Sequence, residues 1–525
     1  MLLIACALLL IGCSGVPGLF LSRHSRSGEY LAGLLVVIGV VLGFLGIAQG
    51  LTGSGEQVID LAWSIPGGAL VMRLDPLSAV FLLPLFLVVG CGACYGLGYW
   101  PQPQHSRNGR KFRLFYGLIS AAMITLLTAR NSLLFLMAWE VMALAGFFLI
   151  VTEDEKEETR RAGYIYLGAT HTGTLALFAM FVLLGQQVGS FAFPVAGSLA
   201  AGGTAIFLLG LFGFGLKAGL MPLHIWLPGA HAAAPSHASA LLSGVMIKTG
   251  IYGLIRLTSF FNVIPPWWGW LVLGIGAVSG ILGVALAIAQ HDIKRLLAYH
   301  SVENIGIIAL GLGLALLGRS FQLPSLVLLG LAGALLHVVN HGLFKSLLFL
   351  SAGSVIHATG TRDIDHYGGL LRRQPWTALF FLVGAVAISG LPPFNGFVSE
   401  WLIYLGSLAA VQCSTLTVTL SVLAAPALAL IGGLALACFV KVFGVTFLGE
   451  PRSDAAIHGH EAPLSMRWSM APLLAACVFI GLLPGSVAPL LGRAVADWSP
   501  LGAGTGLTSS LAPLPWIGIM GWGLH

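Results

Sequence analysis

Long apolar runs alternate with short polar segments along almost the whole chain. A helix that crosses a bilayer needs about 20 predominantly apolar residues, and about 14 segments of the sequence reach that length. These segments lie near residues 1–21, 30–51, 76–98, 112–129, 131–151, 162–184, 203–221, 236–259, 267–289, 296–317, 323–356, 375–408, 416–448 and 469–492. The pattern predicts an all-α integral membrane protein with about 14 transmembrane helices.

Proline interrupts two of these segments. Pro222 lies at the end of the seventh segment, and Pro392 and Pro393 lie in the middle of the twelfth. Because proline cannot donate to the helical ladder and clashes with the preceding turn, we expect both helices to be discontinuous. Irregular backbone inside a membrane is tolerated only where protein or a water-filled cavity covers it. An ordinary proline kink is the alternative at each position.

The two breaks lie five segments apart, which predicts two inverted five-helix repeats with functional sites at the two discontinuous helices. On this basis the chain divides into four regions. Residues 1–110 hold N-terminal transmembrane helices, residues 111–262 the first repeat, residues 263–450 the second repeat, and residues 451–525 a C-terminal helix and tail.

Composition excludes several other classes of protein. Charged residues make up only 8% of the chain and apolar residues 57%, with a mean hydropathy of +0.94. Soluble domains carry about 25% charged residues, and disordered chains combine high charge with low hydrophobicity. Seven cysteines in 525 residues are too few and odd in number for a secreted disulfide scaffold.

The net charge of +6 is explained by loops rather than by a nucleic-acid surface, so we expect no nucleic-acid partner. Counted between the predicted spans, the odd-numbered loops hold 16 Lys and Arg residues, whereas the even-numbered loops and the C-terminal tail hold 5. The positive-inside rule then places the odd-numbered loops in the cytoplasm and both termini outside. A multi-pass protein of the inner (plasma) membrane is the expected location.

Charged residues also lie inside apolar segments, among them Glu140, Lys217, Lys248, Lys345 and Glu400. Each would cost about 2.5–3.5 kcal/mol at a helix centre if it faced lipid, so we expect them to face a protein or water interior. Structural salt bridges would explain isolated pairs. The alternation of acids and bases along the chain favours a proton relay instead, because buried ionisable groups can exchange protons near neutral pH.

Histidines extend this pattern. His337 and His341 precede Lys345 at helical spacing, which forms a stripe suited to proton hopping. The spacing is also that of a metal site, but the Glu of HExxH and any nearby Cys are missing, which disfavours a metal. Other candidates of second rank, within or beside spans, are His171, His224, His231, His237 and Glu303.

Motifs for redox or nucleotide chemistry are missing from the sequence. Cys91 and Cys94 form a single CxxC pair inside an apolar helix, which small core residues explain better than an iron–sulfur cluster. No dinucleotide fingerprint, P-loop or nucleophile elbow is found. We therefore expect no cofactor or metal in this chain, and energy supplied by partners or by an ion gradient.

Several longer motifs make the chain resemble a known family. They are DPLS at 75–78, KAGLMPLHIWLPGAH at 217–231, PSHASALLSGVMIKTG at 235–250, HDIKRLLAYHSVENIG at 291–306 and HVVNHGLFKSLLFLSAGSVIH at 337–357. The sequence resembles the antiporter-like, proton-translocating membrane subunits of respiratory complex I and membrane-bound hydrogenases. Within that family the SVENIG motif and the segment at 438–453 look most like the hydrogenase-4 and formate hydrogenlyase branch.

The resemblance implies roles for the buried charges. Glu140 and Lys217 would form the first half-channel pair, and Lys248 would connect it to the second half. Lys345 would form the second half-channel relay with the two histidines of the stripe, and Glu400 would be the terminal exit residue.

The implied function is proton translocation within a redox-driven complex. Partners would be other membrane subunits and a peripheral redox arm, which would hold nickel–iron, iron–sulfur or flavin centres. A cation/proton antiporter subunit or an ion-coupled uptake subunit on the same scaffold is the main alternative. A passive scaffold that only anchors partners is the third.

Overall fold

The computed structural model describes residues 1–53, 57–200, 202–412, 416–502 and 507–511, and these residues are almost entirely helical. Residues 512–525 of the predicted C-terminal tail lie outside the described residues. Among the described residues, the following twelve helical segments are long and apolar enough to cross a membrane: Leu2–Phe20, Ser27–Thr52, Pro76–Tyr99, Gly109–Thr128, Ser132–Glu153, Glu157–Val188, Ser236–Ser259, Pro266–Ile288, Ile293–Ser320, Pro324–Thr359, Leu420–Phe447 and Leu464–Leu482.

These twelve segments and two shorter apolar helices, Thr204–Ala218 and Pro375–Ile388, correspond in order to the predicted segments. The two shorter helices are the seventh and the twelfth, where proline was expected to interrupt the helix. The prediction of a helical membrane fold is confirmed, whereas the two inverted repeats and the four-region division stay predictions.

The helices are numbered in chain order. The N-terminal half contains α1 (Leu2–Gly12), α2 (Val16–Phe20), α3 (Ser27–Thr52), α4 (Pro76–Tyr99), α5 (Gly109–Thr128), α6 (Ser132–Ile150), α7 (Glu157–Val188), α8 (Thr204–Ala218), α9 (Trp226–Ala233), α10 (Ser236–Leu241) and α11 (Lys248–Ser259). The C-terminal half contains α12 (Pro266–Ile288), α13 (Ile293–Ser320), α14 (Pro324–Thr359), α15 (Pro375–Ile388), α16 (Asn395–Ala409), α17 (Leu416–Thr419), α18 (Ala424–Phe447), α19 (Asp454–Ile457), α20 (Leu464–Leu482), α21 (Ala488–Trp498) and α22 (Leu507–Leu511). Short 3₁₀ turns lie at Val151–Glu153, Ile364–His366, Leu370–Arg372, Ala410–Gln412, Leu420–Leu423, Pro484–Ser486 and Pro500–Gly502.

Two features depart from the purely α-helical expectation. Strands β1 (Gln57–Leu61) and β2 (Leu70–Leu74) form an antiparallel hairpin between the second and third spans. A π-helical turn over Leu242–Met246 joins α10 to α11, so that these two helices act as one span. A π turn holds one residue more than an α turn, and such turns are frequent at functional sites.

Both predicted breaks are present. Helix α8 ends at Gly219, whose φ of +82° suits glycine, and α9 begins only at Trp226. Helix α15 ends at Ile388, Gly390 has a φ of +63°, and α16 begins at Asn395. Glycine supplies the left-handed conformation at a helix end without steric cost, and the prolines that follow cannot continue the helix.

The most apolar stretches of the α10–α11 span and of α13 are fully buried, and that of α14 is mostly buried. In α3, α7, α12 and α18, fewer than half of the residues in the most apolar stretch are buried. These three spans, α10–α11, α13 and α14, form the centre of the bundle, where they contact almost only other helices of the protein. Ionisable residues there do not face lipid.

The odd-numbered loops meet at one end of the bundle, which we call the odd-loop end. Glu158 at the start of α7 pairs with Arg295 at 3.0 Å and with Arg362 at 3.6 Å, although these arginines belong to two other loop regions. Arg107 pairs with Asp154 at 3.6 Å. Loops that are separated by an even number of spans therefore lie on the same side of the bundle, as the predicted number of spans requires.

Substitution of Gly396 by alanine should destabilise the second break. A Cβ at Gly396 would lie 1.8 Å from the carbonyl oxygen of Ala387, so the start of α16 could not pack against the end of α15. Overpacking of this kind costs about 1–3 kcal/mol. Thermal unfolding of the purified protein should show the loss, whereas Gly433→Ala should not destabilise, because a Cβ there meets nothing within 4 Å. Equal stability of the two variants would contradict this packing.

Candidate functional site

The three intramembrane lysines of the predicted relay are buried. The exposed fraction is 1% for Lys217 at the end of α8, 2% for Lys248 at the start of α11 and 0% for Lys345 in the middle of α14. Glu400 in α16 is 6% exposed. The expectation that these four charges face the interior is confirmed.

Lys217 lies in an aromatic environment just before the first break. Its Nζ donates a hydrogen bond to the hydroxyl of Tyr166 at 3.1 Å. The same ammonium lies 5.2 Å from the ring centre of Tyr166 and 5.7 Å from that of Trp139. The last turn of a helix favours a cation, and aromatic faces stabilise it further.

Glu140 differs from the other charges because it reaches the outer face of the bundle. Its side chain is 28% exposed, and Oε2 lies 3.9 Å from Nε2 of His171, which is 51% exposed. For Glu140 the expected protein or water interior stays a prediction, because the side chain is partly exposed at the surface of this chain. Oε1 of the same carboxylate is buried, so the pair is only partly open to the surroundings of the chain.

Lys248 follows the π turn directly. Its Nζ donates to the carbonyl oxygen of Ser243 within that turn. The Ser243 hydroxyl lies 2.7 Å from the hydroxyl of Ser301 on α13. Ser243 thus contacts the lysine through its carbonyl oxygen and the neighbouring buried helix through its hydroxyl.

His337 joins three helices. Its Nε2 lies 3.0 Å from Oδ1 of Asn304 on α13, and its Nδ1 lies 2.9 Å from the Ser399 hydroxyl on α16. Asn340 on α14 donates to the same hydroxyl at 3.0 Å and to the carbonyl of Asn395 at 2.6 Å. These contacts place the buried polar network at the second break.

Several buried polar atoms near Lys345 have no hydrogen-bond partner within the described part of the chain. They are Nζ of Lys345, both ring nitrogens of His341, Oε1 of Glu303 and Nε2 of His300. Oε2 of Glu303 pairs with Nδ1 of His300. Buried polar groups in native proteins are satisfied by protein or by ordered water. The interior around α13 and α14 is therefore suited to hold water between ionisable groups.

Glu400 packs against the second break. A Cβ on Gly390 would lie 2.5 Å from Oε2 of Glu400, so only glycine leaves room for the carboxylate. The acid thus lies at the interruption between α15 and α16, where irregular backbone is protected from lipid by protein.

The remaining histidines lie in different surroundings. His231 is buried, and its ring lies 6.2 Å from that of Phe349, over which Nζ of Lys345 lies at 5.8 Å. His224 is half-buried beside the first break. His237 lies at the odd-loop end, with its ring 4.6 Å from that of Phe112.

Sequence reasoning missed several polar residues of the interior. Lys294 was counted with the loop cations, but its side chain is buried and donates to the carbonyl of Ala234. Other missed members of the network are His300, Ser301, Asn304, Asn340, Asn395 and Ser399. Neutral polar residues give no charge signal inside an apolar run. Their contacts also join helices that are distant in the sequence.

An ion cluster, also missed, lies at the opposite end of the bundle. Oδ2 of Asp75 accepts from Arg130 at 2.8 Å and from Arg256 at 2.7 Å. Burial would raise the pKa of Asp75, but the two guanidinium groups hold it well below its usual range. Asp75 also caps α4 through the N–H of Ser78, as the Asp-Pro sequence predicts. This cluster joins α4, α5 and α11 and fixes them relative to one another.

No group of three or more His, Cys, Asp or Glu within the described ranges is placed to hold a metal ion.

Comparison with known proteins agrees with these features. Residues 129–425, more than half of the chain, match the family described as "NADH:quinone oxidoreductase/Mrp antiporter, TM". The chain belongs to this family. The matched region contains the predicted relay residues from Glu140 to Glu400 and both breaks.

Two relatives come from Escherichia coli (strain K12). The chain is 41% identical to hydrogenase-4 component B over 495 residues, which is 93% of this chain and 73% of the relative. It is 38% identical to formate hydrogenlyase subunit 3 over 476 residues, which is 89% of this chain and 75% of the relative. A chain of respiratory complex I from Thermus thermophilus with bound NADH has a similar structure, with a TM-score of 0.75 and 26% identity. That match covers 95% of this chain and all of the other.

Proposed function

We propose that this chain is a proton-translocating membrane subunit of a redox-driven complex, of the membrane-bound hydrogenase or NADH:quinone oxidoreductase type. The observation that carries the proposal is the series of buried ionisable residues from Lys217 to Glu400, connected in its central part by polar side chains. Buried charges cost free energy, and a chain keeps them where they serve transport. Membership of the family and the resemblance to hydrogenase-4 component B support the same conclusion.

The proposed route begins at Glu140 and Lys217 and crosses the bundle parallel to the membrane. Lys248, which contacts the backbone carbonyl of Ser243, connects the first half to the second, and the Ser243 hydroxyl contacts that of Ser301 on α13. Lys345, His337 and His341 carry the proton within the second half, and Glu400 releases it. Glu303 and His300 lie beside this second half, where their carboxylate and imidazole groups can exchange a proton with water.

The energy for transport would come from partner subunits. Movement of one charge against 100 mV takes about 2.3 kcal/mol, which a redox step can supply. The nickel–iron, iron–sulfur or flavin centres of that reaction would reside in partners. The peripheral redox arm of the complex would contain them, and this chain would contribute the proton route.

The exposed Glu140–His171 pair supports a neighbouring membrane subunit at the α6–α7 face. An acid at a lipid-facing position in mid-membrane is costly, and a polar surface of a second membrane protein removes that cost. We place the protein in the plasma membrane with the odd-loop end in the cytoplasm and both termini outside, as the charge bias predicts.

A cation/proton antiporter subunit is the second candidate, because the family description includes Mrp antiporters. The same buried charges would then couple two ion fluxes. Proton uptake into vesicles that depends on a redox substrate supports the first function, whereas uptake driven by a sodium or potassium gradient supports the second.

Glu140→Gln should lower proton translocation by about tenfold, which corresponds to roughly 1.4 kcal/mol on the barrier. The amide keeps the shape of the side chain but can neither carry the proton nor compensate Lys217. Redox-driven acidification in sealed membrane vesicles, with the amount of assembled complex measured in parallel, checks this result. Glu153→Gln is the matched control, because that acid lies in an exposed pair with Lys156. Unchanged translocation in Glu140→Gln with normal assembly would contradict the proposal.

A further inference from the structure

A cavity of about 550 Å³ opens between α5, α6 and α7 at the odd-loop end. This volume falls within the range of about 300–1,000 Å³ that small-molecule sites occupy. None of the relay residues lines it. Its lining contains two groups of residues. We call Arg107, Lys111 and Arg160 the basic tier, and Phe115, Phe147, Phe148 and Tyr164 the aromatic tier.

The two tiers are stacked along the membrane normal by helical spacing. Phe115 follows Lys111 by four residues on α5, and Tyr164 follows Arg160 by four residues on α7. Four residues of a helix correspond to one turn and a rise of about 6 Å. Each helix therefore places a cation near the loops and an aromatic ring one turn deeper in the bilayer.

The aromatic tier forms a continuous wall that reaches lipid. The rings of Phe115 and Phe148 stack with centres 4.3 Å apart, and those of Phe147 and Tyr164 lie 6.5 Å apart. Phe148 is 44% exposed and Tyr164 is 66% exposed. Tyr side chains are enriched at the membrane–water boundary. The deep part of the cavity is thus open at the outer surface of this chain.

The basic tier carries an excess of positive charge. Three cations line the cavity together with one carboxylate, that of Asp154. Arg107 pairs with Asp154 and Glu155, and Arg160 donates to the backbone carbonyls of these two residues. Lys111 is exposed, and it makes no hydrogen bond or ion pair with the described part of the chain. Its three N–H donors are available to a ligand.

We propose that this cavity binds one anionic glycerophospholipid, such as phosphatidylglycerol. The phosphate lies in the basic tier and accepts from Lys111 and the adjacent arginines, and the acyl chains leave along the aromatic tier into the bilayer. The charge excess and the lateral opening of the apolar wall together select this occupant. A soluble anion would make no contact with the aromatic wall, and a neutral lipid would leave the ammonium of Lys111 without a counter-charge. Basic pockets between transmembrane helices are known to bind anionic headgroups in this way.

Native mass spectrometry of the purified full chain tests the site. The chain is incubated in detergent with phosphatidylglycerol or with phosphatidylcholine of the same acyl chains, and bound lipid is counted. Wild-type protein should retain phosphatidylglycerol in preference. Lys111→Gln should weaken its affinity about fivefold, the usual effect of one basic residue at a membrane surface, and leave phosphatidylcholine unchanged.

Two control variants distinguish the effect of the Lys111 charge from that of the other basic residues on the surface. Lys111→Arg should retain the wild-type preference, because it keeps the charge. Lys156→Gln should also retain it, because that lysine lies near the same end of the bundle but outside the cavity.

Three results would overturn the assignment. The first is equal retention of phosphatidylglycerol by wild type and Lys111→Gln. The second is displacement of the lipid by millimolar inorganic phosphate that stabilises the protein by itself, which would make this a site for free phosphate. The third is loss of a partner subunit from Lys111→Gln complexes with lipid binding unchanged, which would make it a protein interface.

Discussion

Lys345→Met should reduce proton translocation by about 100-fold and at the same time make the protein more stable. Methionine fills the space of the lysine stem but cannot accept or release a proton. Proton transfer by a positioned side chain contributes about 10²–10⁴ in rate, so its removal from the relay should cost at least the lower figure. Lys345 is fully buried, and Nζ has no hydrogen-bond partner in the described chain. A buried polar group of this kind costs about 1–3 kcal/mol, which the substitution relieves.

The opposite signs of the two effects make this test sharp. Translocation is measured in sealed vesicles, and stability is measured as thermal unfolding of the same preparation in detergent. Lys345→Arg is the control, because it keeps a cation in place and should show no gain in stability. A Lys345→Met protein that translocates normally would contradict the proposed route, and one that is destabilised would show that the lysine has structural partners.

Asp75→Asn should destabilise the protein by about 3–5 kcal/mol, the usual cost when one partner of a buried ion pair is removed. Asparagine is as good a helix cap as aspartate, so the loss of stability would report the missing negative charge and not a weaker cap of α4. Arg130 and Arg256 would remain largely buried without a counter-ion. Thermal unfolding and the yield of folded protein report the effect.

The double variant Asp75→Asn with Arg256→Met removes one of the two uncompensated cations and should recover part of the lost stability. An additive loss in the double variant would contradict the cluster. The pH dependence has a defined sign, because the pKa of Asp75 is lowered in the folded protein. The contribution is fully present above the unfolded value of about 3.9 and is lost only as pH falls through the lower folded value.

Much of the fold follows from patterns that the sequence displays directly. Apolar runs locate the spans, and Pro222 and Pro392 locate the breaks because proline removes a donor from the helix. Burial of Lys217, Lys248 and Lys345 is predictable because a charge inside an apolar run is costly if it faces lipid, so it faces the interior of the bundle. These inferences use only neighbours along the chain, which is why they succeed from one sequence.

The contacts across helices could not be predicted in the same way. The partial exposure of Glu140 in this chain could not be predicted, because it depends on which helices surround α6. The bond between Asn304 and His337 joins residues 33 positions apart. The link between Asp75 and Arg256 spans 181 positions. Helical periodicity contains no information about such pairings, because they depend on the order and rotation of whole helices in the bundle.

The wide turn over Leu242–Met246 has a mechanical consequence for Lys248. Successive residues of an α-helix are rotated by about 100° around the axis, so conversion of this turn to regular α geometry would swing the following ammonium by about that angle. Ser243, whose carbonyl it contacts, lies inside the turn and would not rotate with it. The backbone thus holds one extra residue directly before Lys248. Its loss would rotate Lys248 about the helix axis and also shift it by about 1.5 Å along that axis.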